Sequence, residues 1–287
     1  MAIFRALSQN EYFPAEPVLS SPGSDRMNSL SKDLAESLRQ PEFWAYSTWL
    51  DIVTRYRRLY LGMAWILMPP VVYIFGLGYM YSAISGRGGN FIAHLGIGWT
   101  LWRMTTMAIN ESASVYSGHK AFILDGRVCL TDYLLRTLSK ALFYFVFAFL
   151  VVLVVLLTDP SIPIRNMASL LVTVPIFLLN LFWISVVTSL LGTRYPDVRE
   201  FINTMLLFGF FLTPILWSAQ TLPAGSMRGT IARFNPAFHF VEFVRAPVLG
   251  DSLEPLSLWV VAVMTVLGWF VAAVLYRRYA RFVPLWA

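Results

Sequence analysis

Apolar runs close to the length of a bilayer's hydrocarbon core constrain this chain more than any other feature. A helix rises 1.5 Å per residue, so about 30 Å of hydrocarbon takes about 20 apolar residues to cross. Runs that meet or approach this length recur along all 287 residues, and the densest reads ALFYFVFAFLVVLVVLL at 141–157. Only 13% of the residues are charged, against about a quarter in soluble domains. A water-soluble fold could not hide the 57% that are hydrophobic. The expectation is an all-α integral membrane protein, a six-transmembrane-helix bundle with spans at about 61–84, 91–115, 134–157, 167–191, 199–218 and 256–275. Pro69 and Pro70 should kink the first span, since neither ring nitrogen can donate to the helical ladder.

Other segments do not fit inside the bilayer. Residues 1–30, with Pro14, Pro17, Pro22 and Gly23, read as a flexible cytoplasmic tail, with no apolar core ahead of a small-residue cleavage site. Residues 31–50 are amphipathic. Leu34, Leu38, Phe43, Trp44 and Trp49 can lie on lipid while Lys32, Asp33, Glu36 and Arg39 face water, and Pro41 should split the stretch. With Arg55, Arg57 and Arg58 it makes an interface region over 31–60, unless it packs on a partner protein instead. Residues 219–255 form the longest non-spanning stretch after the first span, and NPAFHFVEFVRAPVLG at 235–250 suits a pair of short re-entrant or interfacial helices. Residues 277–287 read as a second cytoplasmic tail.

Charge gives an orientation. With the N-terminus in the cytoplasm, six spans return the C-terminus there. Sixteen of the 22 Lys and Arg then fall on the cytoplasmic side, five on the other, and Arg103 inside a span. That is the positive-inside pattern. It also accounts for the net charge of +6 without a nucleic-acid partner.

Arg103 is the sharpest single residue. A cation at membrane depth costs about 2.5–3.5 kcal/mol on insertion scales, so such residues face a bundle interior or a wet cavity. Trp99, Arg103, Thr106, Asn110 and Ser114 recur at helical spacing and Trp102 borders them, so the second span carries one polar stripe. Glu111 lies two turns on, about 12 Å along the axis, too far for a direct bond. The stripe reads as a hydrophilic translocation path, or as a structural pairing with another helix. Most of the aromatic residues (16% of the chain) suit interfacial belts. A minority on one conduit would suit a sliding sugar chain.

The spans carry few acidic residues and no evident inverted repeat, so ion-coupled transport is disfavoured. No GxxxxGK[ST] loop occurs, so ATP and Mg would belong to another chain. The histidines His94, His119 and His239 are scattered without metal spacing, and the lone Cys129 cannot form an internal disulfide. No catalytic residue, metal site or cofactor is expected in this chain. A soluble motor needs a docking point. The cytoplasmic segment 116–133 offers one, because His119, Lys120, Phe122, Ile123, Leu124, Asp125 and Arg127 mix charge with apolar side chains that a plain loop would not expose.

Several stretches resemble the type-2 ABC exporter permeases. TRYRRLYLGMAWILMPP at 54–70 is similar to the start of that family's first span, with basic residues, then LG, an aromatic and an in-helix proline. RYPDVREFINTMLLFGFFLTPILWSAQTLP at 194–223 resembles its basic–acidic turn, fifth span and LP turn, and NPAFHFVEFVRAPVLG its stretch before the sixth span. The ending YRRYARFVPLW is similar to the basic, aromatic tail of O-antigen export permeases. The resemblance covers about residues 40–287, and the tail at 1–30 departs from it.

The resemblance implies a homodimer in the bacterial inner membrane with two copies of a cytoplasmic ABC ATPase, exporting a lipid-linked polysaccharide. The 31–50 helix would be the interface or gate helix, with Trp44, Trp49, Arg55, Arg57 and Arg58 near it. Residues 118–132 would be the coupling helix. The outer re-entrant pair would be 235–250, with Asn235, Pro236, Glu242 and Arg245. Alternatives are the same machinery carrying capsular polysaccharide, teichoic acid or another lipid-linked glycan, a membrane-embedded glycan- or lipid-modifying enzyme, and a non-transporting scaffold.

Overall fold

The computed structural model describes residues 29–85, 89–124, 128–217 and 226–287. Among them all regular structure is helical. Helices α1 (Leu30–Arg39) and α2 (Glu42–Tyr56) come first, parted at Gln40 and Pro41. Ser29 caps α1 by accepting from the Lys32 amide, and Arg39 lies in its last turn, where a cation suits the helix dipole.

The first apolar run is not one regular helix. It passes from a 3-10 turn (Gly62–Leu67) to α3 (Met68–Val71), a π-helical turn (Val72–Leu77) and α4 (Gly78–Ser85). Pro69 and Pro70 explain this sequence of forms. They remove two donors from the ladder, and the tighter turn before them and the wider one after take up the mismatch.

There follow α5 (Gly89–Gly118), α6 (Lys120–Leu124), α7 (Leu130–Thr158), α8 (Leu170–Arg194, entered through a 3-10 turn at Ile164–Ser169) and α9 (Asp197–Leu212). Then come α10 (Met227–Phe234), α11 (Pro236–Leu249), α12 (Pro255–Tyr279) and, after a 3-10 turn, α13 (Val283–Trp286). Four segments are long and apolar enough to cross a membrane: Gly62–Ser82, Leu130–Thr158, Ile164–Arg194 and Pro255–Trp286. The second and fifth expected spans are not among them. α9 has 16 residues, about 24 Å of helix. α5 has 30 residues and ample length, but it is too polar.

The position of α5 explains its polarity. It runs through the middle of the bundle against α7, α8, α9, α11 and the first-span segments, so its neighbours rather than lipid meet most of its side chains. Leu95, Ile97, Leu101, Met104 and Ala108 are fully buried on it, alongside Thr100 and Ser112. The outward faces of α7 and α12 carry large apolar residues instead, among them Leu150, Val154, Val266 and Phe270. Small and polar groups inside with aliphatic groups outside is the pattern of a bundle packed in lipid. The crossing of α5 and α8 depends on Gly192. A Cβ there would sit 2.2 Å from the Ala113 carbonyl oxygen, so only glycine lets the two backbones approach this closely.

The outer segment differs from the expected pair at 235–250. One 14-residue helix, α11, fills that stretch, and its short companion α10 precedes it. Asn235 separates them because its side chain accepts from the Ala237 amide and Pro236 takes the first helical turn, an N-cap followed by proline. Gly250, at φ 81°, ends α11 in the left-handed conformation.

Candidate functional site

Three groups of residues stand out: the polar stripe of α5, the joint around α6, and a buried network under α11.

On the stripe, Arg103 is exposed while Thr106, Asn110 and Ser114 are half-buried. Thr106 Oγ1 returns its proton to the Arg103 carbonyl at 3.0 Å. The Asn110 Oδ1 atom is buried without a hydrogen-bond partner. Glu111 does not reach back to Arg103. It pairs with Lys140 of α7 at 2.8 Å, as the two-turn separation requires. Trp99 and Trp102 lie beside the stripe but are buried: Trp99 stacks on Tyr73 of the first span at 5.1 Å, and Trp102 packs on Phe210 of α9 at 6.2 Å.

A second cation, Arg55, approaches the level of Arg103. α2 runs along α7, with Thr48 Oγ1 bonded to the Arg136 carbonyl and, further on, Arg55 Nη1 facing the Tyr144 hydroxyl at 3.5 Å. Tyr144 is 14 residues into α7, about 21 Å from its start, and Arg103 is 15 residues from the end of α5, about 22 Å. α2 therefore carries Arg55 to the depth of Arg103. Burial, with the Tyr144 hydroxyl beside it, raises the Tyr56 phenol above its ordinary pKa, and the Arg103 charge is near enough to oppose the rise. Arg55, Arg57, Arg58 and Arg103 are all exposed. Exposed guanidinium groups of this kind suit an anionic group.

The joint around α6 is densely bonded. Arg136 of α7 donates through Nη2 to Asp51 of α2 and through Nη1 to His119 Nε2, each at 2.5 Å. His119 Nδ1 donates to the Val115 carbonyl at 2.7 Å. Ser37 of α1 bonds Thr131 of α7 at 2.6 Å, and Trp44 Nε1 donates to the Ser37 carbonyl at 2.9 Å. Arg199 of α9 donates to the Ala113 carbonyl and to Ser117 Oγ near the end of α5. On α6, Ile123 is buried and anchors the segment, while Phe122 is 63% and Leu124 59% exposed. Lys120 is exposed too; Asp125 and Arg127 lie outside the described residues. Trp49 is exposed on α2, its ring edge on Phe143 at 6.4 Å.

Under α11 the centre is Arg245, 1% exposed. Its Nε and Nη2 donate to Glu242 Oε2 at 2.9 and 2.5 Å, and its Nη1 donates to the Pro214 carbonyl at 2.6 Å and faces His94 Nε2 of α5 at 3.0 Å. One side chain thus joins α11 to α5 and to the turn after α9. Asn235 Nδ2 donates to Thr213 Oγ1 at 2.9 Å. Arg233 pairs with Glu254 at 2.5 Å. Buried His239 donates through Nε2 to the Arg233 carbonyl and accepts at Nδ1 from Ser257 Oγ. Burial lowers the His239 pKa from its ordinary value. Glu242 and Arg245 thus meet directly, while Asn235 binds Thr213, the neighbour of Pro214, and Pro236 starts the helix. The partners His94, Thr213, Pro214 and Glu254 carried no sequence signal, because the contacts span 21 to 151 residues of chain.

No family model matches the chain. Among curated proteins, the chain is similar to the O-antigen export system permease protein RfbA of Myxococcus xanthus, at 21% identity over 236 residues, which is 81% of this chain and 90% of that protein. That likeness supports the resemblance of the sequence to the ABC-2 type exporter permeases of polysaccharide and O-antigen export.

Proposed function

We propose that this chain is the membrane subunit of an ATP-driven exporter that moves lipid-linked O-antigen polysaccharide across the bacterial inner membrane. It works as a homodimer with two copies of a cytoplasmic ABC ATPase, which hold the ATP and Mg. In this reading α5 is the second crossing and α9 the fifth, so the chain crosses six times with both ends cytoplasmic. α5 tolerates its polar residues because neighbouring helices shield it, and α9 is lengthened by the turn at Thr213–Trp217 that Arg245 holds. α10 and α11 cap the outer side.

The observation that carries the ATP-driven part is the form of α6. A five-residue helix holds Ile123 inward and turns Phe122 and Leu124 to the outside, which suits seating in a partner's apolar cleft. Through His119, Arg136 and Asp51 the same segment is joined to α2 and α7, so a push on α6 reaches the interface helix. The basic group of Arg55, Arg57, Arg58 and Arg103 supports an anionic, lipid-linked cargo. The likeness to an O-antigen permease supports its carbohydrate part.

The test replaces residues 122–125 with Gly and Ser in a strain whose surface polysaccharide is followed on gels. Expected are normal insertion of the permease, a partner ATPase no longer coupled to it, and loss of surface polysaccharide. Full export by that variant would overturn the coupling role of α6. Unchanged surface polysaccharide in a strain lacking the chain altogether would overturn the cargo.

A further inference from the structure

The chain ends in a hook rather than a frayed tail. α12 leads through a 3-10 turn, Ala280–Phe282, into α13. Val283 is fully buried. Trp286 stacks on Phe282 at 5.7 Å and meets Tyr279 at 6.0 Å, and the Arg194 guanidinium at the end of α8 lies 5.0 Å from the Trp286 ring centre. Upstream, the Tyr276 hydroxyl donates to Asp33 of α1 at 2.6 Å. These contacts hold α13 against α8 and against α6.

The hook presents an apolar residue to its surroundings at a place where lipid is not expected. α5 is about 45 Å long, against about 30 Å of hydrocarbon. It therefore exceeds the core, and its last turns, where Glu111 pairs with Lys140 and Arg199 binds Ser117, are the polar end that leads into α6. Leu285 is 78% exposed on α13, which packs against α6, where Phe122 and Leu124 are exposed too. Arg277, Arg278 and Arg281 are exposed around it, residues 277–287 contain no acidic residue, and Lys120 adds a cation on α6. A membrane-surface anchor would turn its rings outward into the headgroups. Here Tyr279, Phe282 and Trp286 are half-buried and stacked among themselves.

We propose that α6 and the C-terminal hook form one docking face for the partner ATPase, with Leu285 in its apolar cleft and Arg277, Arg278 and Arg281 on an acidic rim. This rests on the reading of α6 as the coupling segment. Continuity with α6 selects the ATPase as occupant, and the basic surround gives the sign of the surface it meets. The hook then does two things. It enlarges the face, and it ties α6 to α8, α12 and α1, so the docked subunit grips several helices instead of one short loop.

The test uses the full chain co-expressed with its ATPase subunit and purified as the complex. Leu285→Asp and Phe122→Asp are compared for ATPase retained per permease, and a photo-crosslinking amino acid with an apolar side chain replaces Leu285 in a third sample. Expected are at least a roughly fivefold loss of retained ATPase in both Asp variants, a difference of about 1 kcal/mol in binding, and a crosslink from position 285 to the ATPase. If Phe122→Asp sheds the ATPase while Leu285→Asp retains it fully and position 285 labels only lipid, the hook is a lipid contact and the proposal fails while the α6 reading stands. If neither variant sheds the ATPase, the α6 reading fails and the hook proposal with it. If Leu285→Asp does not accumulate, the crosslinking sample decides.

Discussion

Asp51 of the interface helix and Arg136 of the third apolar helix form an ion pair of 2.5 Å, and the same guanidinium holds His119 at the threshold of α6. One side chain thus joins α2, α7 and the start of α6. The pair is partly exposed, 19% at Arg136 and 40% at Asp51, so solvent screens it. A double-mutant cycle with Asp51→Asn and Arg136→Met should give a coupling energy of about 1 kcal/mol or less in stability. The effect on function should exceed that small figure. Arg136→Met should leave ATP hydrolysis by the partner subunits running while surface polysaccharide falls, because the link from α6 to α2 is cut. Wild-type export in Arg136→Met would show that the link transmits nothing.

Arg103 projects from a helix whose neighbours conceal most of its length. Among the described residues no acidic side chain pairs with it, whereas Glu111 on the same helix is held by Lys140. Arg103→Ala should therefore leave the bundle assembled and reduce export roughly tenfold, the weight of one interaction of about 1.4 kcal/mol. Arg103→Lys should retain most of the activity, since a charge rather than a fixed fork is needed there. Membrane abundance by immunoblot and surface polysaccharide on gels separate the two possibilities. Loss of the protein itself would mean that Arg103 is structural.

Arg245 behaves oppositely. It is buried and donates in three directions, to Glu242, to the Pro214 carbonyl and toward His94. Removing it strands a mostly buried carboxylate, a defect that costs about 3–5 kcal/mol. Arg245→Met should lower the thermal midpoint of the detergent-solubilised protein by many degrees, and Arg245→Lys should recover little of the loss, because an ammonium cannot serve the separate directions of the guanidinium. A midpoint for Arg245→Met close to wild type would show that the network adds nothing to stability.

His239 gives the outer segment a pH dependence. Burial lowers its pKa; the hydrogen bond to the Arg233 carbonyl and the charges of Glu254 and Glu242 oppose the fall, and the Arg233 charge adds to it. The unfolded chain then takes up a proton near the ordinary value of about 6.5, before the folded protein does. Stability is complete above that value and declines as pH falls through it, by at most about 1.4 kcal/mol per pH unit. Thermal unfolding between pH 8 and pH 5 should show this decline, and His239→Gln should flatten it. An identical slope in the variant would assign the decline to other groups.

Much of the architecture could be read from one dimension because lipid imposes a local rule. Any helix facing lipid must be apolar over about 20 residues, so the runs that became α7, α8 and α12 announced themselves, and the break at Pro41 followed from its missing donor. Arg103 and the FIL of α6 were visible for the converse reason, a cation in an apolar run and apolar groups in a polar one. Other features were hidden. α5 reads as a marginal span because helices, not lipid, surround it. The π-helical turn at Val72–Leu77 follows from two prolines, but its form depends on how the chain repacks around them. Trp99 and Trp102 share the stripe's periodicity, yet Tyr73 and Phe210 cover them.

The sequence by itself determined that this chain lives in a membrane, is all helical, and keeps its unusual residues in three non-spanning segments and one stripe. Tertiary structure alone decided which of those residues meet. Arg136 with Asp51, Arg245 with His94 and Trp286 with Arg194 are separated by 85, 151 and 92 positions along the chain, and helical periodicity relates only residues a few turns apart. Their meeting depends on how whole helices stack, which is set by close approaches such as Gly192 on Ala113 that leave no trace in hydropathy.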